Sequence, residues 1–478
     1  MPVKNISTKH PLYTEYEESW LLMRDAMDGE DRVKELGVKY LPMKTGTAII
    51  ANVEIRSKVY NNYLMRAEFP ELVSPTVRGS VGLICEKEPT IELPAQLQYL
   101  LEDATGDGTT LAMLFQRIVT EQLVMGRYGL LPAISLSDPS RFVIAGYIAE
   151  RIINWDKKPD GMVDFVVLDE SEQERDRDNN TWSLIEKYME CSLEEGTYQA
   201  LRYRGNTPEE EPVPAMMPNG KPLDRLPFVF IDTADLTADP DEVPLYGLAK
   251  LALRVYRLDA DYMQGLHMTS EPTPYITGFS DPKKAIENGE VPTTIGASNI
   301  WILPEGATAD FLEFSGPGLE AQAKAISSAL ERAVLFGAQL LSENTRSAES
   351  GESRKLRLRG QQSLLKSVAS TAGAGLERTL RNIAIWAGLD PNQVKVKPNL
   401  DFIDFELSAQ DLTALVAGWQ SGGYSKRTFF ENIQRAGMVP SERTFEDEEE
   451  FIQTEGLVLG NVGRETNQPP GGSGGSGG

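Results

Sequence analysis

Between Pro244 and Gly388 the apolar residues repeat at helical spacing three times, and the charge of the chain reverses between the second repeat and the third. Leu245, Leu248, Leu251, Val255, Leu258, Tyr262 and Leu266 mark a first helix, which Pro272 and Pro274 stop. Leu319, Ala323, Ile326, Leu330, Val334, Ala338 and Leu341 mark a second. Leu364, Val368, Ala372, Leu376, Leu380 and Ile383 mark a third, closing at Trp386 and Gly388. Two extended runs, Tyr275–Phe279 and Asn299–Leu303, are predicted between the first two helices. Between the second and third, Ser342–Gly360 has no apolar period and reads as a loop. Its five cations, Arg346, Arg354, Lys355, Arg357 and Arg359, face three acids, Glu343, Glu349 and Glu352, a net +2 in a chain of formal charge −24. Three such helices have more apolar edge than one chain obviously covers. Ala321, Ala323, Ala325, Ala329 and Ala333 give the second helix small faces that let a neighbouring helix approach closely.

The surplus of acid bears directly on function. A free-standing duplex binder shows a basic face, because neutralising phosphates supplies most non-specific affinity. This composition argues against tight, static nucleic-acid binding and fits an assembly subunit, or a channel wall that must not grip DNA. With 478 residues the chain is long enough for two or three cores, since one core rarely grows past ~250–300 residues. Cys85 and Cys191 form no CxxC, and His10 and His267 are the only histidines, so neither a disulfide framework, a zinc knuckle nor an imidazole-based site is expected. No run reaches the ~20 apolar residues of a membrane span, and Met1–His10 lacks the apolar stretch of a secretory signal. The expected setting is a reducing cytoplasm until the chain is built into an assembly.

Upstream of Pro244, residues 12–28 carry Tyr13, Tyr16, Trp20, Met23 and Met27 among acids, an amphipathic helix whose aromatic stripe reads as packing surface. Gly29–Gly46 is a turn-rich connection, and further helices are expected over Val53–Phe69 and Leu72–Cys85. Two more fill Gln96–Arg127, broken at Thr105–Thr110. Gly106-Asp107-Gly108-Thr109 invites a phosphate-loop reading, but it lacks a Walker Lys-Ser/Thr pair and a third dinucleotide glycine; helix capping is the better account. From Phe142 to Phe230 strands are expected at Phe142–Ile144, Met162–Leu168, Ser183–Met189, Thr197–Tyr203 and Phe228–Phe230. The charged run Asp169–Asn180 reads as a solvated hairpin tip, and Thr207–Leu226 as a Pro-rich excursion. After Gly388 come short strands at Val394–Val396 and Asp401–Phe405, then helices Ala409–Gln420 and Lys426–Ala436, the second capped by Ser425. Asn467–Gly478 has flexible-linker composition and is expected to be disordered.

No chemistry stands out. Nucleophilic catalysis needs a base in reach of Ser or Cys, and no carboxylate spacing singles out a pair. The chain is read as a non-enzyme without cofactor or metal. A nucleotide-dependent enzyme would rest on Gly106–Thr109 alone.

The order of elements resembles the core of phage portal proteins, and in particular a family of portal-like phage structural proteins long catalogued only as a domain of unknown function. The residues that carry the resemblance are Pro244-Leu245, Asp261-Tyr262, Gly265-Leu266-His267, Pro272-Thr273-Pro274, Ile276-Thr277-Gly278 and Trp301-Ile302-Leu303-Pro304-Glu305-Gly306. Upstream, Leu93-Pro94, Leu100-Leu101-Glu102-Asp103, Gly106-Asp107-Gly108 and Ile152-Ile153-Asn154-Trp155 fit the same family, so that it spans roughly residues 50 to 460. The resemblance implies a mainly helical α+β portal fold assembling into a ring, a dodecamer. On that mapping 1–243 is the wing, including the β-rich layer 142–230. The stem helices fill 244–341 with the clip at about 270–313, and 342–359 is the tunnel loop. The long wing helix and short strands occupy 360–407, the crown 408–460, and a disordered tail 461–478. Arg346, Arg354, Lys355, Arg357 and Arg359 would then meet double-stranded DNA passing through the ring. Such contacts are to phosphates, transient and independent of sequence. The implied partners are the terminase motor, the head–tail adaptor, scaffold and major capsid protein, at a vertex of the virion. The rival reading is a head-morphogenesis or adaptor protein without a DNA channel.

Overall fold

The computed structural model describes residues 5–462 except 136, 271–272, 293, 295–299, 313–316, 336–350, 401–408, 436–437 and 441–442. It is 47% helical and 20% strand, which makes the fold α+β. Its contacts divide it into two units, 1–400 and 401–478.

Helix α1 (Pro11–Asp28) begins where Pro11 needs no backbone donor and His10 Nδ1 accepts the Leu12 N–H at 3.1 Å. Tyr13, Trp20 and Met23 of its aromatic stripe are buried, and the Trp20 indole donates to the Met125 carbonyl at 3.0 Å, so the stripe is packing surface. Short helices α2 (Glu30–Glu35) and α3 (Thr45–Ala48) lead to α4 (Val53–Arg66) and α5 (Val73–Ile84). Strand β1 (Thr90–Glu92) and a 3-10 turn precede α6 (Leu111–Met125), which packs on α1 and α5. The Gly106–Thr109 loop before α6 uses its amides internally. Gly106 and Gly108 donate to Asp103 Oδ1 at 2.8 and 3.0 Å, Thr109 donates to Asp107 Oδ1 at 3.1 Å, and Thr110 Oγ1 caps α6. Three of its amides are thus committed to the chain's own carboxylates, and the helix cap is Thr110.

The cap on α1 carries a pH signature. Burial holds the His10 imidazole, stacked 4.1 Å from Trp155, below its ordinary value of 6.5. A folded value below the unfolded one gives stability that is complete above 6.5 and is lost as pH falls through the folded value. The melting temperature of the protein should therefore fall on acidification from about pH 7 to 5, with a component that His10→Asn removes, because Asn caps without titrating. His10→Ala should cost about 1 kcal/mol at neutral pH, read by thermal denaturation.

Eleven strands follow between α6 and residue 232: β2 (Arg127–Ile134), β3 (Phe142–Ile148), β4 (Ile152–Lys157), β5 (Val163–Asp169), β6 (Glu172–Asp176), β7 (Thr181–Ile185), β8 (Lys187–Glu194), β9 (Thr197–Arg204), β10 (Thr207–Pro208), β11 (Val213–Pro214) and β12 (Val229–Asp232). One antiparallel sheet has the order β12-β2-β3, a second the order β10-β9-β8-β5-β4 with β11 also on β9, and β6 and β7 pair alone. Five of these strands were not anticipated: β2, β4, β6 within the charged run, and the short β10 and β11 within the Pro-rich excursion. Arg127–Leu131 and Pro132 are buried on both faces, so β2 shows no alternation, and Gly129 and Pro132 weaken its strand character further. The run Ser183–Met189 is not one strand but parts of two, β7 and β8, which break at Glu186 and belong to different sheets. The run Asp169–Asn180, expected as a solvated tip joining two strands, instead contains β6, which pairs with β7 as a hairpin of its own, every β6 residue being exposed.

From residue 244 the chain forms α7 (Tyr246–Ser270), β13 (Thr273–Thr277), α8 (Pro282–Glu287), β14 (Thr308–Leu312), α9 (Pro317–Leu335), α10 (Gly351–Trp386) and β15 (Lys395–Lys397), the last paired with β1. The partner of β13 is β14, not the run at Asn299–Leu303. Residue 299 lies outside the described residues, and Ile300 and Ile302 are largely exposed coil. Glycines decide this. Gly278 and Gly306, both at positive φ, turn the chain back to back, and a Cβ on Gly278 would meet the Gly306 carbonyl at 2.6 Å, so pairing starts beyond them at Thr277 and Thr308. The second unit holds α11 (Ala409–Gln420), α12 (Lys426–Arg435), capped by Ser425 Oγ at 3.1 Å from the Thr428 N, and α13 (Phe445–Val462). The strand expected at Asp401–Phe405 and the tail beyond 462 lie outside the described residues.

Candidate nucleic-acid interface

The cationic stretch is not a loop throughout. Helix α10 starts at Gly351, nine residues before the expected start at 360, so Arg354, Lys355, Arg357 and Arg359 lie in its first three turns. Arg346 falls within 336–350, outside the described residues. The physical reason is propensity. Glu, Arg, Lys, Leu and Gln dominate 352–362, and strong helix formers prolong a helix that is already nucleated even where no apolar stripe marks it. At 36 residues α10 is about 54 Å long.

Its C-terminal two-thirds form the root. Leu365, Val368, Ala369, Ala372, Leu376, Leu380, Ile383 and Ala384 are buried, against α6, β2 and β12 among others. Polar bonds fix the rotation of the helix on the sheet. Ser367 Oγ donates to the Thr233 carbonyl at 2.8 Å, and Gln122 Nε2 donates both to Thr371 Oγ1 (2.8 Å) and to the Asp232 carbonyl (2.6 Å). Asn382 donates to the Pro227 carbonyl and the Trp386 indole to the Met216 carbonyl, each at 3.1 Å. Gly375 lies against Ile231, where an added Cβ would meet the Ile231 side chain at 2.5 Å. A helix held this way at five sites in its buried part carries its first turns on a fixed axis.

Beneath the root lies a buried ion pair. Arg127 Nε and Nη2 donate to the two oxygens of Asp232 at 2.9 and 2.8 Å, and Nη2 also donates to the Ala238 carbonyl at 2.7 Å. The side chains are 1% and 0% exposed. The guanidinium stands 5.0 Å from the Trp155 ring centre and 4.7 Å from that of Phe230. Burial pushes the Asp232 carboxyl upward and Arg127 pulls against it. The pair joins the first residue of β2 to the last of β12, which carries the carbonyl that Gln122 holds. Sequence reading missed all of it. The one local signal was Gln122, a polar side chain inside the apolar stripe of α6.

Helices α7 and α9 pack on each other. Gly265 permits the approach: a Cβ there would sit 2.6 Å from Leu319 Cδ2. The small faces expected on α9 divide. Ala329 and Ala333 are already buried within the chain, whereas Ala321 and Ala323 are exposed. Ala329 and Ala333 therefore offer no free face to a neighbour. Among the described residues no group of three His, Cys, Asp or Glu is placed to hold a metal, no helix is long and apolar enough to cross a membrane, and Cys85 and Cys191 are not disulfide-bonded.

None of the curated proteins compared with the chain matches it significantly. Among solved structures, a chain from the virion of a native gene transfer agent particle aligns at 14% identity and a TM-score of 0.38, over 75% of this chain and 88% of that one. A chain from the neck of a native gene transfer agent particle, computed with C12 symmetry, aligns at 16% identity and 0.39, over 77% and 91%. A chain from the neck of an empty particle, computed with C6 symmetry, gives 16% and 0.37, over 74% and 88%. Scores this low establish no shared fold. Residues 244–387, from just before α7 to just past the end of α10, match the family described as a domain of unknown function, DUF4055.

Proposed function

We propose that the chain is a phage portal protein, a non-enzymatic ring at one vertex of the capsid through which DNA is packaged, retained and ejected. The observation that carries this reading is the placement of the charge reversal. The net +2 of residues 342–360, in an acidic chain, comes from Arg354, Lys355, Arg357 and Arg359 in the first turns of a helix whose remainder is locked to a sheet. Alternation of paired helices, a two-stranded insert and a long rooted helix in the region 244–387 agrees with the portal order of stem, clip, stem and wing helix. Arginine and lysine favour the helix by propensity, but cations at its start oppose its dipole, so local helix stability does not account for their charge. Contacts to phosphates do, and they need no base recognition. In this reading the ring is a dodecamer, its partners are the terminase motor, head–tail adaptor, scaffold and major capsid protein, and it passes from the host cytoplasm into the virion.

Negative-stain electron microscopy of the purified full chain tests it. The expected images are rings with a stain-filled centre wide enough for duplex DNA. Particles with no central hole would favour an adaptor role, and a monomer under every assembly condition would end the portal reading.

A further inference from the structure

The β6–β7 hairpin has two unlike faces. Residues opposite one another in an antiparallel pair share a face, so Arg175 lies with Trp182 and Gln173 with Leu184 on one side, and Glu172, Glu174 and Asp176 lie on the other. The acidic side is tied to the neighbouring sheet: Lys187 Nζ is 2.6 Å from Glu172, and Arg204 is 3.6 Å from Glu174. The opposite side is turned to solvent with Trp182 64% and Leu184 62% exposed. Arg175 is held beside Trp182 by its bond to Asn180 Oδ1 at 2.9 Å. A solvated tip does not require an aromatic side chain, and an exposed Trp–Leu pair side by side on a short hairpin offers a contiguous apolar surface to a partner.

The same chain carries a receptor of matching character. A cavity of about 580 Å³ opens between the two larger sheets, with Leu131, Pro132, Val143 and Trp386 in its walls. Glu210 and Glu211, both exposed, also line it, as do Arg202 and Glu170, which face each other at 3.9 Å, so the lining carries a net negative charge. That volume accommodates an indole and an isobutyl group, and the carboxylates complement an arginine that arrives beside them. Trp182 and Leu184 are not among the residues that line the cavity of their own chain.

We propose that the hairpin of one copy docks in this cavity of the next, with Trp182 and Leu184 in the apolar pocket and Arg175 against Glu210 and Glu211. The contact is heterologous, since the surfaces differ, and repeating it gives a closed ring or an open chain according to the rotation between copies. This deepens the portal reading by naming one contact between ring subunits, and in that respect rests on it.

The test is self-association of the full chain, measured by light scattering after size exclusion and by electron microscopy under the conditions that give rings. Trp182→Glu, at an exposed site, should weaken association roughly 30-fold or more. Arg175→Glu and the pair Glu210→Lys with Glu211→Lys should each weaken it about tenfold or more, and combining the two sets should restore most of the loss. Rings that persist unchanged in Trp182→Glu overturn the docking and leave the portal reading standing. A charge swap no better than its parents overturns the assigned pairing. A parent chain that remains monomeric throughout removes both.

Discussion

Arg127→Ala should destabilise the first unit by about 3–5 kcal/mol, because it leaves the Asp232 carboxylate buried without its partner. Asp232→Ala should cost a similar amount, stranding a guanidinium whose Nη1 already lacks a partner among the described residues. Arg127→Met combined with Asp232→Leu keeps most of the volume and removes both charges, so it should recover most of the loss. Urea denaturation monitored by tryptophan fluorescence checks this, since Trp155 stacks beside the pair. If the single and double variants lose the same amount, the pair is not what couples β2 to β12. The effect extends beyond stability. Gln122 holds the Asp232 carbonyl and Thr371 together, so loosening the end of β12 should also loosen the seat of α10.

On the portal reading, alanine at Arg354, Lys355, Arg357 and Arg359 should leave assembly intact and reduce the salt dependence of DNA binding. Alanine is the best helix former, and cations near a helix start are unfavourable to begin with, so α10 should persist as judged by circular dichroism. Each phosphate contact contributes about 0.9 to the slope of log affinity against log salt. Four contacts predict that the parent loses about 150-fold in duplex affinity between 50 and 200 mM salt, and that the variant loses far less. Filter binding of assembled particles to duplexes of unrelated sequence measures this, with packaging or retention as the biological readout. A variant that packages normally at all salt concentrations would exclude these residues from the channel. Because they lie on a rooted helix, their spacing along it is fixed at about 1.5 Å per residue, and a proline within 354–359 should impair retention even with every cation kept.

Much of the helical framework was legible because burial on one face leaves a period of 3.6. Val368, Ala372, Leu376, Leu380 and Ile383 of the predicted stripe lie on the buried face of α10, and Tyr13, Trp20 and Met23 on that of α1. At 172–176 the solvent exposure was legible from charge, but the pairing of β6 with β7 was not. Strand β2 was not, since burial on both sides erases alternation, and its glycine is explained only by distant residues: a Cβ on Gly129 would strike the Phe228 ring. Nor was the start of α10, where propensity acts without an apolar pattern. Of the candidate site, the cations were legible as residue types and their helical setting was not.

By itself the sequence determined the acid surplus, the local charge reversal and the places where helices run, because charge is carried residue by residue and amphipathic period is a short-range property. Tertiary structure alone decided which partners those helices have. The Arg127–Asp232 pair joins residues 105 apart, Gln122 reaches Thr371 across 249, and the Trp182 face is left outward because Lys187 and Arg204 hold the acidic side. Such choices depend on which surfaces meet once loops have closed, and no local window of residues contains that information.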